Sequence, residues 1–349
     1  MRAIRVGDRT VGEGQPCLIA AEAGINHNGN MNLAHRLIDA AADTGADAIK
    51  FQNYVTEDFV SDTSLRYEYL SQGRLVSESQ VEMFKRCELR PGAIDELRRH
   101  ADHRRLLFFA TPTGASGLAE LVQNRVPMLK NGSDYLVHLE LVRAMAATGL
   151  PTVLSTGMAT LAEIDDAVRA FRAAGGTDLI LLHCTSSYPT PPQDVHLRKI
   201  PVLADAFDVP VGLSDHTEGS VAAVAAVALG ACFIEKHFTL DHGLPGPDQR
   251  FSCDPDELRQ LASAVRTVEQ SLGQSAIVPT AGEDAARMGF RLSCVAATDL
   301  ASGHRLTKAD VAFRRPGSGL LPKHVDSLVG RRLSRAVRSG EVLGEQHFA

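Results

Sequence analysis

The chain has 349 residues, 44% of them hydrophobic, and a net charge of −6, which allow one large domain with a sizeable core and a second small one. No apolar run approaches the about 20 residues that cross a bilayer, and the start, MRAIRVGDRT, lacks the apolar stretch of a signal peptide. We therefore expect a soluble, cytoplasmic protein with no membrane partner.

The six cysteines are scattered, with no CxxC pair, so we expect buried structural thiols rather than a disulfide or a zinc cluster. The charge is also unevenly spread. From Arg287 onward, eleven Lys or Arg stand against five Asp or Glu, which leaves a net +6 there and −12 before it. Such asymmetry occurs in nucleic-acid-binding proteins. Because these basic residues lie among apolar ones, we expect no nucleic-acid partner, and a basic lid over an acidic or phosphorylated ligand is the alternative.

The first predicted element is a β-hairpin. The segment IRVGDRTVGEG places a turn signal, Gly7-Asp8, between two short alternating runs.

Eight short apolar runs follow, and each ends in polar or charged residues. They lie in the segments 21–30, 48–52, 106–112, 127–133, 151–158, 179–189, 209–217 and 231–239. Buried parallel strands form continuous apolar runs of this kind, and helix-length segments lie between them. Eight such units predict a (β/α)8 TIM barrel, whose lower end the hairpin would plug and whose chemistry lies at the carboxyl ends of the strands.

The second strand is followed by an unusually long segment, 53–85, which contains Tyr54, Tyr67 and Tyr69. A long loop on a barrel is often functional, although a simple excursion is the alternative. The last barrel helix is predicted from Asp254-Pro255 to Leu272-Gly273. We predict a barrel domain over 1–272, a linker over 273–287 and a β-rich domain over 288–349.

Polar side chains at the strand ends are the candidate site residues. They are Glu22, Lys50, Gln52, Thr111, Lys130, Ser133, Ser155, Ser214, His216, Glu235 and His237. In LSDHT and IEKHFT, alternation along the strand places Ser214 with His216 and Glu235 with His237, while Lys236 points the other way. Two inward histidines on neighbouring strands predict a metal site, and their ligand types suit Mn, Fe, Co or Zn better than Mg alone. Satisfied polar histidines are the alternative.

Lys50 and Lys130 end apolar strands and are expected to point inward. Because a buried lysine is costly without an anionic partner, the two lysines among several hydroxyls predict a site for phosphate and carboxylate. Internal ion pairs with Glu22 or Glu235 are the alternative, and a lysine that forms a Schiff base is another. Glu22, inward and near cations, is a candidate general acid or base.

Together these motifs resemble the sialic acid synthase family, the phosphoenolpyruvate-dependent nonulosonate synthases. The matching strings are EAGINHNGN, KFQ, TP at 111–112, KNGS, LSTGM, LLHCTSSYPTP, GLSDHT, ALGACFIEKHFTLD, GPD at 246–248 and RRPGSGL. They follow the family's order along nearly the whole chain. The resemblance identifies the β-rich module as an antifreeze-like (SAF, β-clip) domain and implies a domain-swapped homodimer.

The resemblance also implies roles for individual residues. Those that would hold phosphoenolpyruvate are Lys50, Thr111, Lys130, Ser133, Ser155 and Ser214. His216 and His237 match the family's divalent-metal ligands, with Mn²⁺ expected first and Mg²⁺ or Co²⁺ as substitutes, and Glu22 matches its catalytic glutamate. Three residues, Gln52, Tyr188 and Asp248, match positions that face the sugar, and Arg315 matches an arginine that the SAF domain presents to the sugar's acyl group. Ser186 and Glu235 are further substrate-binding candidates.

The implied reaction is a metal-dependent condensation of phosphoenolpyruvate with the open-chain aldehyde of a 2-acetamido sugar, N-acetylmannosamine by default. Two strings differ from the family pattern. Ser186 stands where N-acetylneuraminate synthases often have Asn, and KNGSDY replaces a KIGSGE-like string. Legionaminic- or pseudaminic-type acceptors, or another aldehyde in secondary metabolism, therefore stay open. Two alternatives of a different kind also stay open. The chain could be a catalytically inactive sugar-binding protein or a Schiff-base aldolase.

Overall fold

The computed structural model describes residues 3–349, and the chain divides into two compact units between Gly273 and Gln274. The strands of the first unit are β1 (Ile4–Val6), β2 (Arg9–Val11), β3 (Leu18–Gly24), β4 (Ala48–Asn53), β5 (Arg66–Ser71), β6 (Arg74–Ser79), β7 (Leu107–Pro112), β8 (Leu129–Asn131), β9 (Thr152–Ser155), β10 (Leu179–Cys184), β11 (Val211–Asp215) and β12 (Phe233–His237). Its helices are α1 (Met31–Ala42), α2 (Thr56–Phe59), α3 (Gln80–Cys87), α4 (Ala93–His103), α5 (Ala115–Gln123), α6 (Leu139–Ala147), α7 (Leu161–Ala173), α8 (Lys199–Phe207), α9 (Val221–Ala228) and α10 (Pro255–Leu272).

Eight parallel strands form one sheet in the order β7-β4-β3-β12-β11-β10-β9-β8. The two end strands, β7 and β8, contact each other and nearly close the sheet into a barrel. The predicted TIM barrel is confirmed. Its strands are covered on both faces, which explains why each was visible as an unbroken apolar run.

The predicted hairpin is confirmed as the antiparallel pair β1 and β2. Ile4, Val6 and Val11 are buried in one cluster with the inward side chains of the barrel, among them Phe109 and Phe233. A second, larger cluster fills the layer between the outer faces of the strands and the helices. The hairpin therefore plugs the barrel interior, as predicted.

Because side chains alternate along each strand, the same inward face forms the apolar barrel core first and the polar rim at the carboxyl end of the strand. In β3, for example, Leu18 and Ala20 lie in the interior cluster, and Glu22 is the next residue on that face. The long segment between β4 and α4 holds α2, the antiparallel hairpin β5–β6, and α3. It is a folded excursion rather than an irregular loop.

The second unit contains α11 (Asp284–Phe290), β13 (Ser293–Ala296), β14 (Val311–Arg314) and α12 (Val325–Leu328). β13 and β14 pair antiparallel, and isolated bridges link further short segments around a small core. Helix α11 crosses the predicted start of this domain at residue 288, so the segment 273–287 is not wholly irregular.

All six cysteines are buried and free. Over residues 3–349, we find no helix that is long and apolar enough to cross a membrane.

Candidate active site

One cavity of ≈ 480 Å³ lies at the carboxyl ends of the barrel strands. The predicted site residues that line it are Glu22, Lys50, Gln52, Thr111, Lys130, Ser133, Ser155, Ser186, Tyr188, Ser214, His216, Glu235, His237 and Asp248. Among the predicted residues, Arg315 belongs to the second unit, where it is exposed beside β14, with its guanidinium 5.2 Å from the ring centre of Phe290.

Two lysines and two glutamates form the floor of this cavity. The Nζ of Lys50 lies 2.9 Å from Oε1 of Glu22 and 3.7 Å from Oε1 of Glu235. The Nζ of Lys130 lies 3.5 Å from the same Glu235 oxygen. The internal ion pairing that the sequence left open is therefore present. A bound anion would join a charge network that already contains two carboxylates.

Burial and charge compete within this network. Burial raises the pKa of Glu22, although the nearby Lys50 ammonium opposes the rise. At Glu235 burial also raises the pKa, but Lys130 and Lys50 outweigh it and hold the pKa below its ordinary value. Burial lowers the pKa of Lys130, while at Lys50 the two glutamates outweigh burial and raise it. Glu22 is thus the floor carboxyl that takes up a proton more easily.

Hydroxyl groups surround the two ammonium groups. Lys50 donates to Oγ1 of Thr111 at 3.3 Å, and Lys130 donates to Oγ of Ser155 at 2.8 Å. Ser214 donates to Glu235 at 3.0 Å, and the Ser133 hydroxyl accepts from the backbone N–H of Gly157 at 3.0 Å. Cations and hydroxyls in this density are suited to phosphate and carboxylate oxygens, because hydrogen bonds to charged groups are the strong ones.

Glu22 lies where the pairing of β3 with β4 becomes irregular, between Glu22 and Gly24. Gly24 has φ +50°, a left-handed conformation that costs other residues energy. A Cβ built on Gly24 would lie 3.1 Å from Oε1 of Glu22. Bulges next to active sites re-aim side chains, and this one leaves Glu22 in contact with Lys50 and, at 3.4 Å, with the amide of Gln52.

The two predicted metal ligands are neighbours, with ring centres 5.2 Å apart. Nδ1 of His216 lies 2.9 Å from the carbonyl oxygen of Thr185, a contact that requires a proton on Nδ1 and leaves Nε2 as a lone-pair donor. Nδ1 of His237 is buried without a hydrogen-bond partner, 3.6 Å from a carboxylate oxygen of Asp248. Two imidazoles beside a carboxylate fit a divalent metal whose remaining ligands come from water or substrate.

The buried environment favours the neutral forms of both His237 and Asp248. Burial holds the pKa of His237 well below its ordinary value. Burial, together with Glu22, raises the pKa of Asp248 to about 7. A neutral imidazole is the form that binds metal. Within residues 3–349, three potential ligand atoms lie within 4.8 Å of one another only at His242, Asp254 and Glu257, which do not line this cavity.

Comparison with known proteins decides the family. Residues 37–276 match the NeuB family, and residues 293–349 match the SAF domain. The chain belongs to the NeuB family. The resemblance seen in the sequence is thereby confirmed, including the SAF domain.

Relatives of this NeuB-family chain match it along nearly its full length. The N,N'-diacetyllegionaminic acid synthase of Legionella pneumophila is 37% identical over 98% of this chain and 97% of its own. The human N-acetylneuraminate-9-phosphate synthase is 32% identical over 97% of this chain and 94% of its own. The crystal structure of the sialic acid synthetase of Leptospira borgpetersenii is 36% identical, with a TM-score of 0.74 over 82% of this chain and 95% of its own.

Several residues that line the cavity of this NeuB-family chain were missed by sequence reasoning. Cys184, assigned only a structural role, ends β10 on the inward face, with its Sγ 3.9 Å from Nδ1 of His216. Alternation from Leu182 would have predicted its direction. Asp134 lines the cavity too, and burial raises its pKa.

An aromatic wall of the cavity comes from the long segment after β4. Tyr54, Phe59 and Phe84 form a triad with ring centres 4.9 to 5.6 Å apart, and all three line the cavity together with Tyr67. The segment therefore contributes to the site, whereas Tyr69 lines a separate cavity. Phe59 and Phe84 carry no sequence signal, because nothing in a pattern of apolar residues distinguishes a cavity wall from a core.

Proposed function

We propose that the protein is a nonulosonate synthase of the N-acetylneuraminate type. It condenses phosphoenolpyruvate with the open-chain aldehyde of a 2-acetamido sugar such as N-acetylmannosamine and releases phosphate. The observation that carries the proposal is one cavity in which two buried lysines with their hydroxyl partners, Glu22, and the adjacent pair His216 and His237 face each other. Membership of the NeuB family supports it.

The floor residues would bind the phosphate and carboxylate of phosphoenolpyruvate. Lys50 and Lys130 supply positive charge, and the hydroxyls of Thr111, Ser155 and Ser214 supply hydrogen bonds at the same level of the barrel. Carbon C3 of phosphoenolpyruvate forms the new bond to the aldehyde carbon, and cationic character develops at C2. The fixed charges of the floor stabilise that state. Water then adds to C2, guided by Glu22, and phosphate leaves.

The sugar would lie on the histidine side. A divalent metal held by His216 and His237, Mn²⁺ first and Mg²⁺ or Co²⁺ as substitutes, would polarise the aldehyde oxygen. The ring of Tyr188 lies with its centre 4.2 Å from that of His216, where it can pack against the sugar. Gln52, Ser186 and Asp248 would hydrogen-bond its hydroxyl and amide groups.

The acceptor has a second candidate class. Relatives that carry the names N,N'-diacetyllegionaminic acid synthase and pseudaminic acid synthase are 33–37% identical to this chain. A 2,4-diacetamido hexose is therefore the alternative acceptor, and another aldehyde sugar of secondary metabolism is a further one. We also propose that the protein works in the cytoplasm as a domain-swapped homodimer, in which Arg315 of one copy contacts the acyl group of the sugar in the other.

The test is phosphate release from phosphoenolpyruvate with a panel of acceptors that contains N-acetylmannosamine and a 2,4-diacetamido hexose. We expect release with at least one acceptor, loss after chelation, and recovery with Mn²⁺. His216→Ala and His237→Ala should fold and stay inactive. Full activity of a metal-stripped sample would refute the metal role. Trapping of a sugar on the chain by borohydride, with activity that ignores chelators, would instead indicate a Schiff-base aldolase.

A further inference from the structure

We propose that Lys236 is a positioning residue that fixes His216 and His237 relative to each other for metal binding. The inference rests on the metal role of the two histidines given under the proposed function. Lys236 lies on β12 between Glu235 and His237, with its side chain on the opposite face of the strand, away from the cavity. It is fully buried, at 0% exposure.

The ammonium group of Lys236 binds both neighbours of His216. Its Nζ lies 2.8 Å from Oδ2 of Asp215 and also donates to the backbone carbonyl of Thr217. The other oxygen of Asp215 accepts from the backbone N–H of Thr217 at 2.9 Å. The three residues 215–217 are thus closed into a small ring by side-chain bonds. The lysine that completes this ring is the residue next to His237.

These bonds replace backbone pairing at the point where it stops. The register of β11 with β12 ends at the pair Asp215 and Lys236, so His216 lies one residue beyond the last paired position. His216 is otherwise held by Thr185 and Thr190, through its Nδ1 and its backbone carbonyl. Both of these contacts tie it to the loop after β10. Lys236 links the segment around His216 to the strand of His237.

The ion pair is buried on the outward face of β11 and β12. Leu213 and Ile234, which point outward from the same two strands, are buried in the layer between strands and helices. An ion pair in such a layer adds little stability, because desolvation offsets the attraction, and apolar side chains of similar volume would serve the fold equally well. The ion pair forms directed bonds to both neighbours of His216, and apolar side chains would not form such bonds.

The test compares Mn²⁺ binding by metal-free wild type and by the double variant Asp215→Asn/Lys236→Met, using calorimetry and Mn²⁺ paramagnetic resonance. The asparagine keeps an oxygen for the N–H of Thr217, and no buried charge is left unpaired. We expect a thermal midpoint close to that of wild type and Mn²⁺ affinity weaker by about 10- to 100-fold, the usual effect of losing a residue that orients metal ligands.

Arg266→Met is the matched control. Arg266 pairs with the buried Asp47, 2.9 Å away, at the start of β4 and so at the other end of the barrel. This variant should lower the thermal midpoint and leave Mn²⁺ affinity unchanged. Wild-type Mn²⁺ affinity in the folded double variant would overturn the role of Lys236 while leaving the proposed function intact. Failure of the wild type itself to bind Mn²⁺ would overturn both.

Discussion

The chemistry of the cavity floor depends on its four buried charged residues, Glu22, Lys50, Lys130 and Glu235. A single oxygen of Glu235 lies within 3.7 Å of both ammonium groups and accepts a hydrogen bond from Ser214. The second oxygen of Glu235 and that of Glu22 are buried without partners. A buried acceptor without a donor costs free energy. The cavity floor is therefore stabilised when hydrogen-bond donors of a ligand or of water reach those two oxygens.

At this residue scale, Lys130→Ala should weaken the binding of phosphoenolpyruvate. The substitution removes an ammonium that lies among Ser155, Glu235 and the cavity, and a charge-assisted bond contributes about 1.5–3 kcal/mol, roughly a tenfold to hundredfold change in affinity. Lys50→Ala should act in the same direction. Titration calorimetry measures the effect, with the exposed Lys308→Ala as control. Unchanged affinity in both floor variants would remove the lysines from the anion site.

Glu22→Gln should separate binding from chemistry. The amide keeps the size of the side chain and an oxygen for Lys50, but it cannot exchange a proton, and general acid–base catalysis contributes about 10²- to 10⁴-fold. We expect phosphoenolpyruvate to bind nearly as in wild type and phosphate release to slow by about that factor. Rapid-quench measurement of phosphate release gives the rate. Wild-type turnover in the variant would exclude Glu22 from the proton transfers.

At the scale of elements, the β1–β2 hairpin is part of the barrel core. Val6 and Val11 are both fully buried in the interior cluster. Val6→Ala should lower the free energy of unfolding by about 2 kcal/mol, from lost burial and the cavity left behind, and Val11→Ala by a similar amount. Urea titration measures it, with the exposed Arg5→Ala as reference. A change in the free energy of unfolding within error of that of Arg5→Ala would mean that the hairpin does not stabilise the barrel.

The turn before β14 provides a pH-dependent element. Hydrogen bonds from His304 and Thr307 lower the pKa of Asp310 to about 2, from an ordinary value of 3.8. A carboxyl with a depressed pKa stabilises the fold above its unfolded-state value, and this contribution is lost as the pH falls from about 4 towards 2. The stability difference between wild type and Asp310→Asn should therefore be larger at pH 5 than at pH 3. Equal differences in urea midpoint at the two pH values would contradict the assignment.

At the scale of the whole molecule, the proposed exchange of SAF domains makes a specific prediction for mixed dimers. An Arg315→Ala chain mixed with a Glu22→Gln chain should give heterodimers in which one site has both Glu22 and Arg315. We expect each variant alone to be slow and the mixture to recover phosphate release, measured after unfolding and joint refolding. No recovery in heterodimers purified by two different tags would show that Arg315 acts within its own chain or not at all.

The sequence by itself determined the barrel, the hairpin and the place of the site. Periodicity is a local property, so apolar runs and the alternation within IEKHFT suffice to place His237 inward and Lys236 outward, and both directions are observed. The carboxyl ends of parallel strands meet at one edge, and for that reason polar residues at the ends of seven of the eight strands could be assigned to one cavity. On the remaining strand, β10, the inward Cys184 was missed.

Only the tertiary structure decided which of these residues contact each other. The bonds of Lys50 to Glu22, of Lys236 to the two neighbours of His216, and of Tyr54 to the backbone of Phe84 join positions that are distant in sequence. Burial depends on the same distant neighbours, and it was therefore the fold that separated Glu22, with its raised pKa, from Glu235, with its lowered one. A residue's type and position give its direction in a strand, but its electrostatic environment depends on what the rest of the chain brings next to it.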